Sequence, residues 1–446
     1  MAFDVKDRNV LALGMADSGL AAAELLAARG ARVTACDRKP LAELPGLAEK
    51  LEALGVPFEP QPDAVFEDRD LIVLSPGVPA DLPALEAARA RGVKVVGDVE
   101  MASWFLEGPI LGITGSNGKT TVTTLAGMML EAAGVPCQVG GNIGTPLSEM
   151  IAGSRAGQWN VLELSSFQLE TTGTFHATIG LALNVTDNHL DRHRTMERYA
   201  AAKARLFANQ GAGDTAVLNA ENEYTRAYAA QTRGDVVWFS PERRLEEGFG
   251  FDSGRLLAYG EPFLEAAELR VRGRHNAGNV LAAAAAAYRA GASLEAIAEA
   301  ARRFTGLEHR LEFVRTLAGV SYFNDSKATT VASALAALAS FDEPLWVILG
   351  GREKHSDFRP LRAPLLERAR GVLLIGEATA KIAGHLGAGL PLRECGDLAG
   401  ALGVVRAEAR PGDVALLAPA CASFDQFRSF EHRGQAFKAL VRGMEV

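Results

Sequence analysis

The sequence predicts an α/β protein of three domains, each built on a mainly parallel β-sheet. Short apolar segments alternate with segments whose apolar residues recur at helical spacing, which is the pattern of βαβ units. A chain of 446 residues is longer than one hydrophobic core usually organises. A glycine-rich turn at residues 115–121 joins an apolar strand to a helix, as phosphate-binding loops do.

The composition is that of a globular protein, with 48% hydrophobic and 22% charged residues. A formal net charge of −8, without a polybasic run, argues against nucleic acid as a partner. The four cysteines are scattered, which indicates neither a zinc site nor a disulfide framework. The charged N-terminus lacks the apolar core of a signal peptide, and no apolar run approaches the roughly 20 residues of a membrane span. We therefore expect a cytoplasmic protein without a membrane partner.

Residues 1–98 are predicted to form a Rossmann-like domain. A strand at residues 9–13, a turn at 14–19, a helix and a second strand ending at Asp37 make a βαβ unit. The turn resembles the dinucleotide fingerprint G-x-G-x-x-G, but Ala16 replaces the middle glycine, which weakens the case for NAD. Ligands of parallel sheets bind at the carboxyl ends of strands, which here carry Gly14, Asp37 and residues 75–77. The alternative is that these are only tight turns of a packed sheet.

Residues 99–306 are predicted to form a P-loop ATPase-like domain. The segment G-S-N-G-K-T-T at 115–121 has the spacing G-x-x-G-K-T, shorter than the standard G-x-x-x-x-G-K-[ST]. Its backbone amides and the following helix N-terminus would attract phosphate, Lys119 would neutralise charge, and the Thr120 hydroxyl could hold Mg²⁺. The predicted ligand is a nucleoside triphosphate, and the alternative is an ordinary turn that contains lysine.

Glu163 lies within a predicted strand of the same domain, and His189 follows another. Glu163 lies on an otherwise apolar strand at residues 160–166, where a carboxylate is costly to bury unless it meets a cation or a donor. A phosphate-loop protein needs an acid near its magnesium, so Glu163 is a candidate ligand, with a salt-bridged glutamate as the alternative. His189 follows another apolar segment at 179–185 and could face the same site.

Lys203 lies on the apolar stripe of a helix predicted at residues 196–207, together with Met196, Tyr199 and Leu206. Spacing alone favours a snorkelling lysine whose ammonium reaches water. If the amine is instead desolvated, its pKa falls, and the neutral form can take up CO₂ as a carbamate that offers oxygen ligands to a metal.

Residues 307–446 are predicted to form a second Rossmann-like domain, with a hinge at 304–310. Strands are expected at 345–349, 372–375 and 414–417. Polar turns at 324–330, 350–354 and 419–427 each follow a predicted strand, so their side chains could converge. Each turn alone could equally be a capped turn without a ligand.

These segments together resemble the ATP-dependent Mur ligases of peptidoglycan precursor synthesis. The matching segments are G-S-N-G-K-T-T at 115–121, G-G-N-I-G at 140–144, L-E-L-S-S-F-Q-L at 162–169, N-V-T-D-N-H-L-D-R at 184–192, A-A-K at 201–203, H-N at 275–276, H-R at 309–310, N-D-S-K-A-T at 324–329 and P-A-C-A-S-F-D-Q-F at 419–427. They run through the whole chain, and the combination is highly specific.

The resemblance implies a site for ATP and two Mg²⁺ ions. The implied ATP contacts are Gly115, Ser116, Asn117, Gly118, Lys119, Thr120, Thr121, Asn276, Asn279, Arg310 and Asp325. The implied metal ligands are Thr120, Glu163, His189 and a carbamylated Lys203, and Lys327 joins Lys119, Glu163, His189 and Lys203 as a catalytic residue. The resemblance thereby reverses the preference for a snorkelling Lys203.

The resemblance also implies two small-molecule substrates, UDP-N-acetylmuramoyl-L-alanine and D-glutamate. The implied contacts of the uridine nucleotide are Met15, Ala16, Asp37, Arg38, Ser75, Gly77, Asn142 and Ser165. The implied contacts of D-glutamate are Thr329, Lys354, Ser423, Phe424 and Phe430. Departures from the usual pattern at Ala16, Thr330, His355 and Ala418 leave the finer shape of these pockets open.

The implied reaction forms an amide bond through an acyl phosphate and a tetrahedral intermediate, in a chain expected to be a monomer. Three alternatives remain at this stage. A nicotinamide-dependent oxidoreductase would explain the first βαβ unit, and a nucleotide-switch binding protein would explain the phosphate loop. A sister ligase that adds another amino acid, or a folate polyglutamate ligase, is the closest alternative.

Overall fold

A five-stranded parallel sheet forms from the first part of the chain, in the order β3-β2-β1-β4-β5. The computed structural model describes residues 4–60, 66–271, 273–353 and 356–445. The strands are β1 Asn9–Leu13, β2 Arg32–Asp37, β3 Phe58–Pro60, β4 Leu71–Leu74 and β5 Lys94–Gly97, and the helices are α1 Asp17–Ala28, α2 Leu47–Leu54, α3 Pro83–Ala90 and α4 Asp98–Ser103. Leu13 pairs with Cys36 on one side and with Leu74 on the other, so the turns after β1, β2 and β4 meet at one edge.

The central sheet has nine strands in the order β14-β13-β12-β11-β10-β9-β6-β8-β7, and only the β12–β13 and β13–β14 pairs are antiparallel. Its strands are β6 Ile110–Thr114, β7 Cys137–Gly141, β8 Trp159–Glu163, β9 Ile179–Ala182, β10 Thr215–Asn219, β11 Asp235–Phe239, β12 Gly248–Asp252, β13 Arg255–Ala258 and β14 Glu261–Glu265. Its helices are α5 Lys119–Ala132, α6 Leu147–Met150, α7 Ser166–Leu169, α8 Leu190–His193, α9 Met196–Ala204, α10 Glu223–Ala227, α11 Arg274–Arg289 and α12 Leu294–Arg303.

The register of β6 decides which residues of the central sheet meet. Ile113 of β6 pairs with Glu163 of β8, and Thr114 pairs with Ala182 of β9. Because these strands are parallel, the phosphate loop, the end of β8 and the segment after β9 all lie at the same edge of the sheet. The alanine run at residues 282–287 lies in α11 and is fully buried. Its small side chains allow the helix to pack closely.

The third sheet has six strands in the order β15-β16-β20-β17-β18-β19, and only the β15–β16 pair is antiparallel. Its strands are β15 Glu312–Leu317, β16 Val320–Asn324, β17 Leu345–Gly350, β18 Ala369–Ile375, β19 Leu392–Gly396 and β20 Val414–Leu417, and its helices are α13 Val331–Leu338, α14 Arg362–Arg368, α15 Thr379–Leu386, α16 Leu398–Glu408 and α17 Phe430–Gly443. Leu417 pairs with Asn324 on one side and with Ile348 on the other, so the turns after these strands share an edge.

The predicted fold class is confirmed, while several predicted boundaries are wrong. The strand predicted at 160–166 ends at Glu163, because Ser165 starts a new helix as its N-cap. The helix predicted to reach residue 207 ends at Ala204 and continues as a 3₁₀ turn. Strands β3, β7, β12 to β16 and β19 were not predicted.

The chain divides into two compact units, Met1–Glu268 with Ala277–Arg302, and Leu269–Asn276 with Arg303–Val446. The first unit holds the first two sheets and the second unit holds the third. The domain boundaries predicted after residues 98 and 306 stay a prediction. Among the described helices, none is both long and apolar enough to cross a membrane.

Candidate functional site

The phosphate loop leaves β6 and enters α5 with two glycines that no other residue can replace without strain. Gly118 has a φ of +86°, and a Cβ there would lie 2.6 Å from Asn279 Oδ1. A Cβ at Gly115 would lie 2.9 Å from the Leu183 Cβ. The amides of Ser116 and Asn117 donate to the backbone oxygen and the side-chain oxygen of Asn184. The loop is therefore fixed to the segment that follows β9, with Asn279 beside it.

The Ser116 side chain points into the protein instead of toward a ligand. Its Oγ donates to the Thr186 carbonyl at 3.1 Å and lies 3.0 Å from the Tyr199 hydroxyl. Ser116 is only 7% exposed. The Ser116 hydroxyl is therefore engaged inside the protein and is not directed at an anion bound by this loop.

Lys119 and Lys203 approach the same backbone oxygen. Lys119 Nζ donates to the Gly115 carbonyl at 3.0 Å, and Lys203 Nζ donates to it at 2.9 Å. Lys203 is 1% exposed, so the snorkelling interpretation drawn from spacing is wrong. Burial, reinforced by the charge of Lys119, holds the pKa of Lys203 well below its ordinary value of 10.5, although Glu163 acts in the opposite direction. Burial therefore shifts this amine in the direction of its neutral form.

Glu163 ends β8 with its side chain 2% exposed. Its Oε1 accepts a hydrogen bond from Asn142 Nδ2 at 2.9 Å. Its Oε2 is buried without a hydrogen-bond partner, and among the described residues no cation lies within salt-bridge distance. An unpaired buried carboxylate oxygen is costly, and it is what a Mg²⁺ ligand requires, so the site fits the metal. The alternative of a salt-bridged Glu163 is not supported.

His189 adopts a left-handed backbone conformation, with φ 55°, just before α8. Its ring contacts the edge of Phe167 at 4.9 Å and Tyr199 at 6.2 Å between centroids. The Lys203 ammonium lies 4.6 Å from the centroid of the same Tyr199 ring. The structure thus brings His189 and Lys203 to one aromatic side chain. Sequence reasoning missed Tyr199 as a site residue, although its position four residues before Lys203 was visible.

The first sheet brings its predicted residues together at the edge formed by β1, β2 and β4. Asp37 Oδ2 accepts from the Met15 amide at 2.7 Å, and Ser75 Oγ donates to the Gly14 carbonyl at 2.7 Å. A Cβ at Gly19 would lie 1.8 Å from the Gly14 oxygen, which explains the last glycine of the turn. Three further predicted residues are exposed beside this edge: Ala16, Arg38 and Gly77.

Two other residues assigned to the uridine nucleotide have structural partners. Asn142 holds Glu163 through both its side chain and its amide, which donates to the Glu163 carbonyl at 2.8 Å. Ser165 caps α7, and its Oγ accepts from the Gln168 amide at 3.2 Å. Sequence reasoning did not foresee the contact between Asn142 and Glu163.

The predicted convergence of polar turns is found within the third sheet. The Asp325 amide donates to the Leu417 carbonyl at 2.8 Å, and the Gly350 amide donates to the Pro419 carbonyl at 2.9 Å. Burial raises the pKa of Asp325 to about 7, while the Leu311 amide and Arg310 act to lower it.

Arg433 holds two of these turns and was not predicted. It is 1% exposed, and its guanidinium donates to Ser326 Oγ at 2.9 Å, to the Ser326 carbonyl at 2.9 Å and to the Cys421 carbonyl at 3.1 Å. Burial lowers the pKa of this guanidinium to about 10. Arg433 therefore fixes the turns that carry Lys327 and Ser423 relative to each other.

The residues assigned to D-glutamate differ in exposure. Ser423 is buried, Thr329 is half-buried and Phe424 is 58% exposed. The Lys327 ammonium lies 3.8 Å from the centroid of the Phe430 ring, within the range of a cation–π contact. Lys354 and His355 lie outside the described residues. Asn276 is in the first turn of α11.

Family models match each of the three predicted domains. Residues 8–97 match the Mur ligase MurD-like N-terminal domain, residues 113–287 match the Mur ligase middle domain, and residues 309–421 match the Mur ligase glutamate ligase domain. Among solved structures, a UDP-N-acetylmuramate-alanine ligase from Thermotoga maritima has a TM-score of 0.61 at 20% identity and covers 98% of this chain and 100% of its own. A pseudomurein peptide ligase type C from Methanothermus fervidus has a TM-score of 0.60 at 15% identity, with coverage of 98% and 100%.

Curated relatives match over nearly the full chain. The UDP-N-acetylmuramoylalanine--D-glutamate ligase of Solibacter usitatus is 58% identical over 98% of both chains. The enzyme of the same name from Acidobacterium capsulatum is 46% identical over 98% of this chain and 97% of its own. The chain therefore belongs to the Mur ligase family, whose members use ATP and Mg²⁺ to form amide bonds.

Proposed function

We propose that this protein joins D-glutamate to UDP-N-acetylmuramoyl-L-alanine at the expense of ATP, as a step of peptidoglycan precursor synthesis. The observation that carries the chemistry is the buried, unpaired oxygen of Glu163 beside a phosphate loop. The identity of 58% to a ligase named for these substrates supports the choice of substrates. Ligases that add another amino acid, and folate polyglutamate ligases, are the alternatives to be separated.

The ATP site is assigned to residues of the phosphate loop and of later segments. Gly115, Ser116, Asn117, Gly118, Lys119, Thr120 and Thr121 would hold the triphosphate, and Asn276, Asn279, Arg310 and Asp325 would contact the adenosine. Lys119 now donates to carbonyls of its own loop, and a phosphate would replace those acceptors. Its ammonium would then neutralise charge on the transferring group, with Lys327 as a second cation.

Two Mg²⁺ sites are proposed from the donors present. Thr120 and Glu163 would hold the first ion, and His189 with a carbamate on Lys203 would hold the second. Bound Mg²⁺ would offset the negative charge that accumulates on the phosphoryl oxygens. Asn142 holds Glu163 by its bond to Oε1, and the unpartnered Oε2 would be the oxygen that holds an ion.

The burial of Lys203 supports the proposed carbamate. The lone pair of the neutral amine forms a bond to the carbon of CO₂, and the nitrogen then releases one proton, which leaves a carbamate anion. The lowered pKa of Lys203 supplies the neutral amine that this step needs. An anion at this position would also replace the repulsion between Lys203 and Lys119 by attraction.

The uridine nucleotide is assigned to the turns of the first sheet and to two residues of the central sheet. The assigned residues are Met15, Ala16, Asp37, Arg38, Ser75, Gly77, Asn142 and Ser165. Asp37 and Ser75 shape this edge through bonds to Met15 and Gly14, so the backbone there is set before a ligand arrives. D-glutamate is assigned to Thr329, Lys354, Ser423, Phe424 and Phe430.

The reaction proposed for these substrates has two steps. The alanyl carboxylate oxygen attacks the γ-phosphorus of ATP, the bond to ADP breaks, and an acyl phosphate forms. The D-glutamate amine then attacks the acyl carbon through a tetrahedral intermediate, phosphate leaves, and the amine loses a proton. We further propose a cytoplasmic monomer with domains at residues 1–98, 99–306 and 307–446.

A panel of acceptors and amino acids scored by ADP release tests this function. We expect release only when UDP-N-acetylmuramoyl-L-alanine and D-glutamate are both present, because the acyl phosphate must be trapped by the correct amine. Equal release with another amino acid would identify a sister ligase. Release with a folate acceptor and glutamate would identify a folate polyglutamate ligase.

A further inference from the structure

A buried hydrogen bond joins the one-turn helix α8 to the turn that follows β8. His193 Nε2 lies 2.9 Å from Ser166 Oγ. His193 is 5% exposed and Ser166 is 3% exposed. Ser166 follows Glu163 by three residues, and His193 follows His189 by four. The bond therefore connects the two segments that carry proposed ligands of the first and of the second metal ion.

The turn that carries His189 cannot hold its shape alone. His189 has φ 55° and Arg194 has φ 69°, so non-glycine residues with positive φ flank α8 on both sides. Each such residue carries a conformational cost, because its Cβ is crowded by the backbone at positive φ. A helix of only four residues gains too few internal hydrogen bonds to offset that cost. Contacts from the rest of the central sheet must fix the position of His189.

Those contacts converge on the ring of His193. It stacks on Phe167 at 5.4 Å between centroids with an interplanar angle of 23°, and it packs against Tyr199 at 5.2 Å. Phe167 also meets the edge of His189 at 4.9 Å. Of the groups around this ring, Ser166 fixes its rotation, because a stacked ring can slide but a hydrogen bond is directional.

Ser166, Glu170 and His193 follow one another along the chain in the Ser-Glu-His order of some hydrolase triads. They nevertheless do not form a nucleophilic site. Glu170 Oε2 lies 3.8 Å from His193 Nδ1, which is too long for a hydrogen bond. Glu170 instead pairs with Arg192. Ser166 is also buried, with only 3% of its surface exposed to an incoming substrate.

We propose that His193 is a positioning residue, which acts through its bond to Ser166 to hold His189 at a fixed distance from Glu163. This inference rests on the proposed function, because it takes His189 and Glu163 as metal ligands. Groups that orient metal ligands typically change metal affinity or activity by 10–100-fold when they are removed. The bond to Ser166 is expected to contribute at the lower end of that range.

The test compares His193→Phe, Ser166→Ala and the double variant. Phenylalanine keeps an aromatic ring for the stack on Phe167 and removes the hydrogen bond to Ser166, together with the approach of Nδ1 to Glu170. Ser166→Ala removes the same hydrogen bond from the other side and leaves the His193 ring in place. Mn²⁺, a paramagnetic substitute for Mg²⁺, is titrated in the presence of an unreactive ATP analogue, and unbound Mn²⁺ is read by electron paramagnetic resonance. We expect each single variant to weaken Mn²⁺ binding about 10-fold and to lower kcat by a similar factor. The KM for UDP-N-acetylmuramoyl-L-alanine should stay within about twofold, and the double variant should be no worse than either single one.

His176→Phe serves as the matched control. It removes the 2.7 Å hydrogen bond between His176 and Asp214. These two residues precede β9 and β10, so the bond lies at the edge of the central sheet opposite to the candidate site. Unchanged Mn²⁺ affinity in His193→Phe, with a fall in Tm like that of the control, would overturn the inference. The inference would also be overturned if the effects of the two single variants multiplied in the double variant. If the wild type fails to release ADP with D-glutamate, the proposed function fails, while the Mn²⁺ comparison still decides the role of His193.

Discussion

At the scale of single residues, the two carboxylate oxygens of Glu163 have different surroundings. Oε1 is bonded to Asn142, and Oε2 has no hydrogen-bond partner in the described part of the chain. A carboxylate buried in this way destabilises the fold by itself. Selection for function and selection for stability therefore act in opposite directions at this residue.

Glu163→Gln should separate these two effects. The amide keeps the size of the side chain but removes the negative charge, so we expect kcat to fall at least about 100-fold because a direct metal ligand is lost. Because a buried charge is removed, Tm should stay unchanged or rise. ADP release and thermal unfolding measure the two effects on the same preparation. Glu149→Gln, an exposed substitution in α6, is the control and should alter neither quantity. A variant with full turnover would remove Glu163 from the metal site.

Asp98 is a second buried carboxylate, outside the candidate site, and it predicts a pH-dependent stability. It starts α4, and burial raises its pKa to about 7 despite hydrogen bonds from the Val99 amide and the Ser18 hydroxyl. The folded state thus holds a proton that the unfolded state, with a pKa of 3.8, has lost. Its contribution to stability is therefore full at low pH and is lost as the pH rises toward 7.

Asp98→Asn should remove this dependence. The variant should have a larger free energy of unfolding than the wild type. This gain should be greater at pH 8 than at pH 5 by up to about 3 kcal/mol, since each unit of pKa shift is worth about 1.4 kcal/mol. Tm of the wild type and the variant, measured at both pH values, gives the comparison. A gain of equal size at pH 5 and pH 8 would contradict the raised pKa.

At the scale of elements, the phosphate loop needs glycine for two reasons. One is a positive φ, and the other is a neighbouring side chain that lies too close to the backbone for a Cβ. Gly118 and Gly134 flank α5, with φ of +86° and +68°. A Cβ at Gly118 would meet Asn279, while at Gly134 nothing lies within 4 Å. Alanine at either position should cost roughly 1 kcal/mol of stability for its left-handed backbone.

Only Gly118→Ala should affect the ligand. We expect the KM for ATP to rise at least about 10-fold, because the loop must shift away from Asn279. Gly134→Ala should leave the KM unchanged with a similar fall in Tm. ATP titrations at saturating amino acid measure this. Equal KM values in both variants would mean that the loop tolerates the extra methyl group.

The sequence predicted the elements whose pattern is local and missed those that depend on neighbours. Continuous apolar runs identified β4, β17 and β20, which are buried on both faces. Strands β12 to β14 were missed because they are short, partly exposed segments at the edge of the sheet. Pairing with neighbouring strands stabilises them, and their own residues carry no clear strand pattern.

The candidate site shows the same division. Lys119, Glu163 and Lys203 were noticed because each is a polar residue in an apolar or glycine-rich pattern, but spacing alone favoured the wrong, snorkelling interpretation of Lys203. Tyr199 and Arg433 were missed because their importance lies in contacts between segments distant in sequence, such as the bond from Arg433 to Ser326. No local pattern distinguishes such residues from ordinary core or surface positions.

At the scale of the whole molecule, Glu100 joins the first sheet to the central sheet within one compact unit. It lies in α4, directly after β5, and is 1% exposed. Its carboxylate accepts hydrogen bonds from the amides of Gly173, Thr174 and Phe175, each 2.8 Å long, just before β9. Burial acts to raise the pKa of Glu100, but these bonds and the Thr174 hydroxyl outweigh it and lower the pKa below 4.5.

Glu100→Gln should loosen this junction, because an amide NH₂ would replace one of the two accepting oxygens and face backbone donors. Hydrogen bonds to a charged group contribute about 1.5–3 kcal/mol each, so we expect a loss of that order in stability at pH 7. Since the pKa of Glu100 is lowered by folding, its contribution is present above pH 4.5 and is lost as the pH falls through the folded value. The difference in Tm between wild type and variant should accordingly shrink when measured at pH 4. Glu86→Gln, which breaks an exposed ion pair with Arg89, is the control and should cost less than about 1 kcal/mol at either pH. A difference in Tm that is the same at pH 7 and pH 4 would show that the charge of Glu100 does not hold the two sheets together.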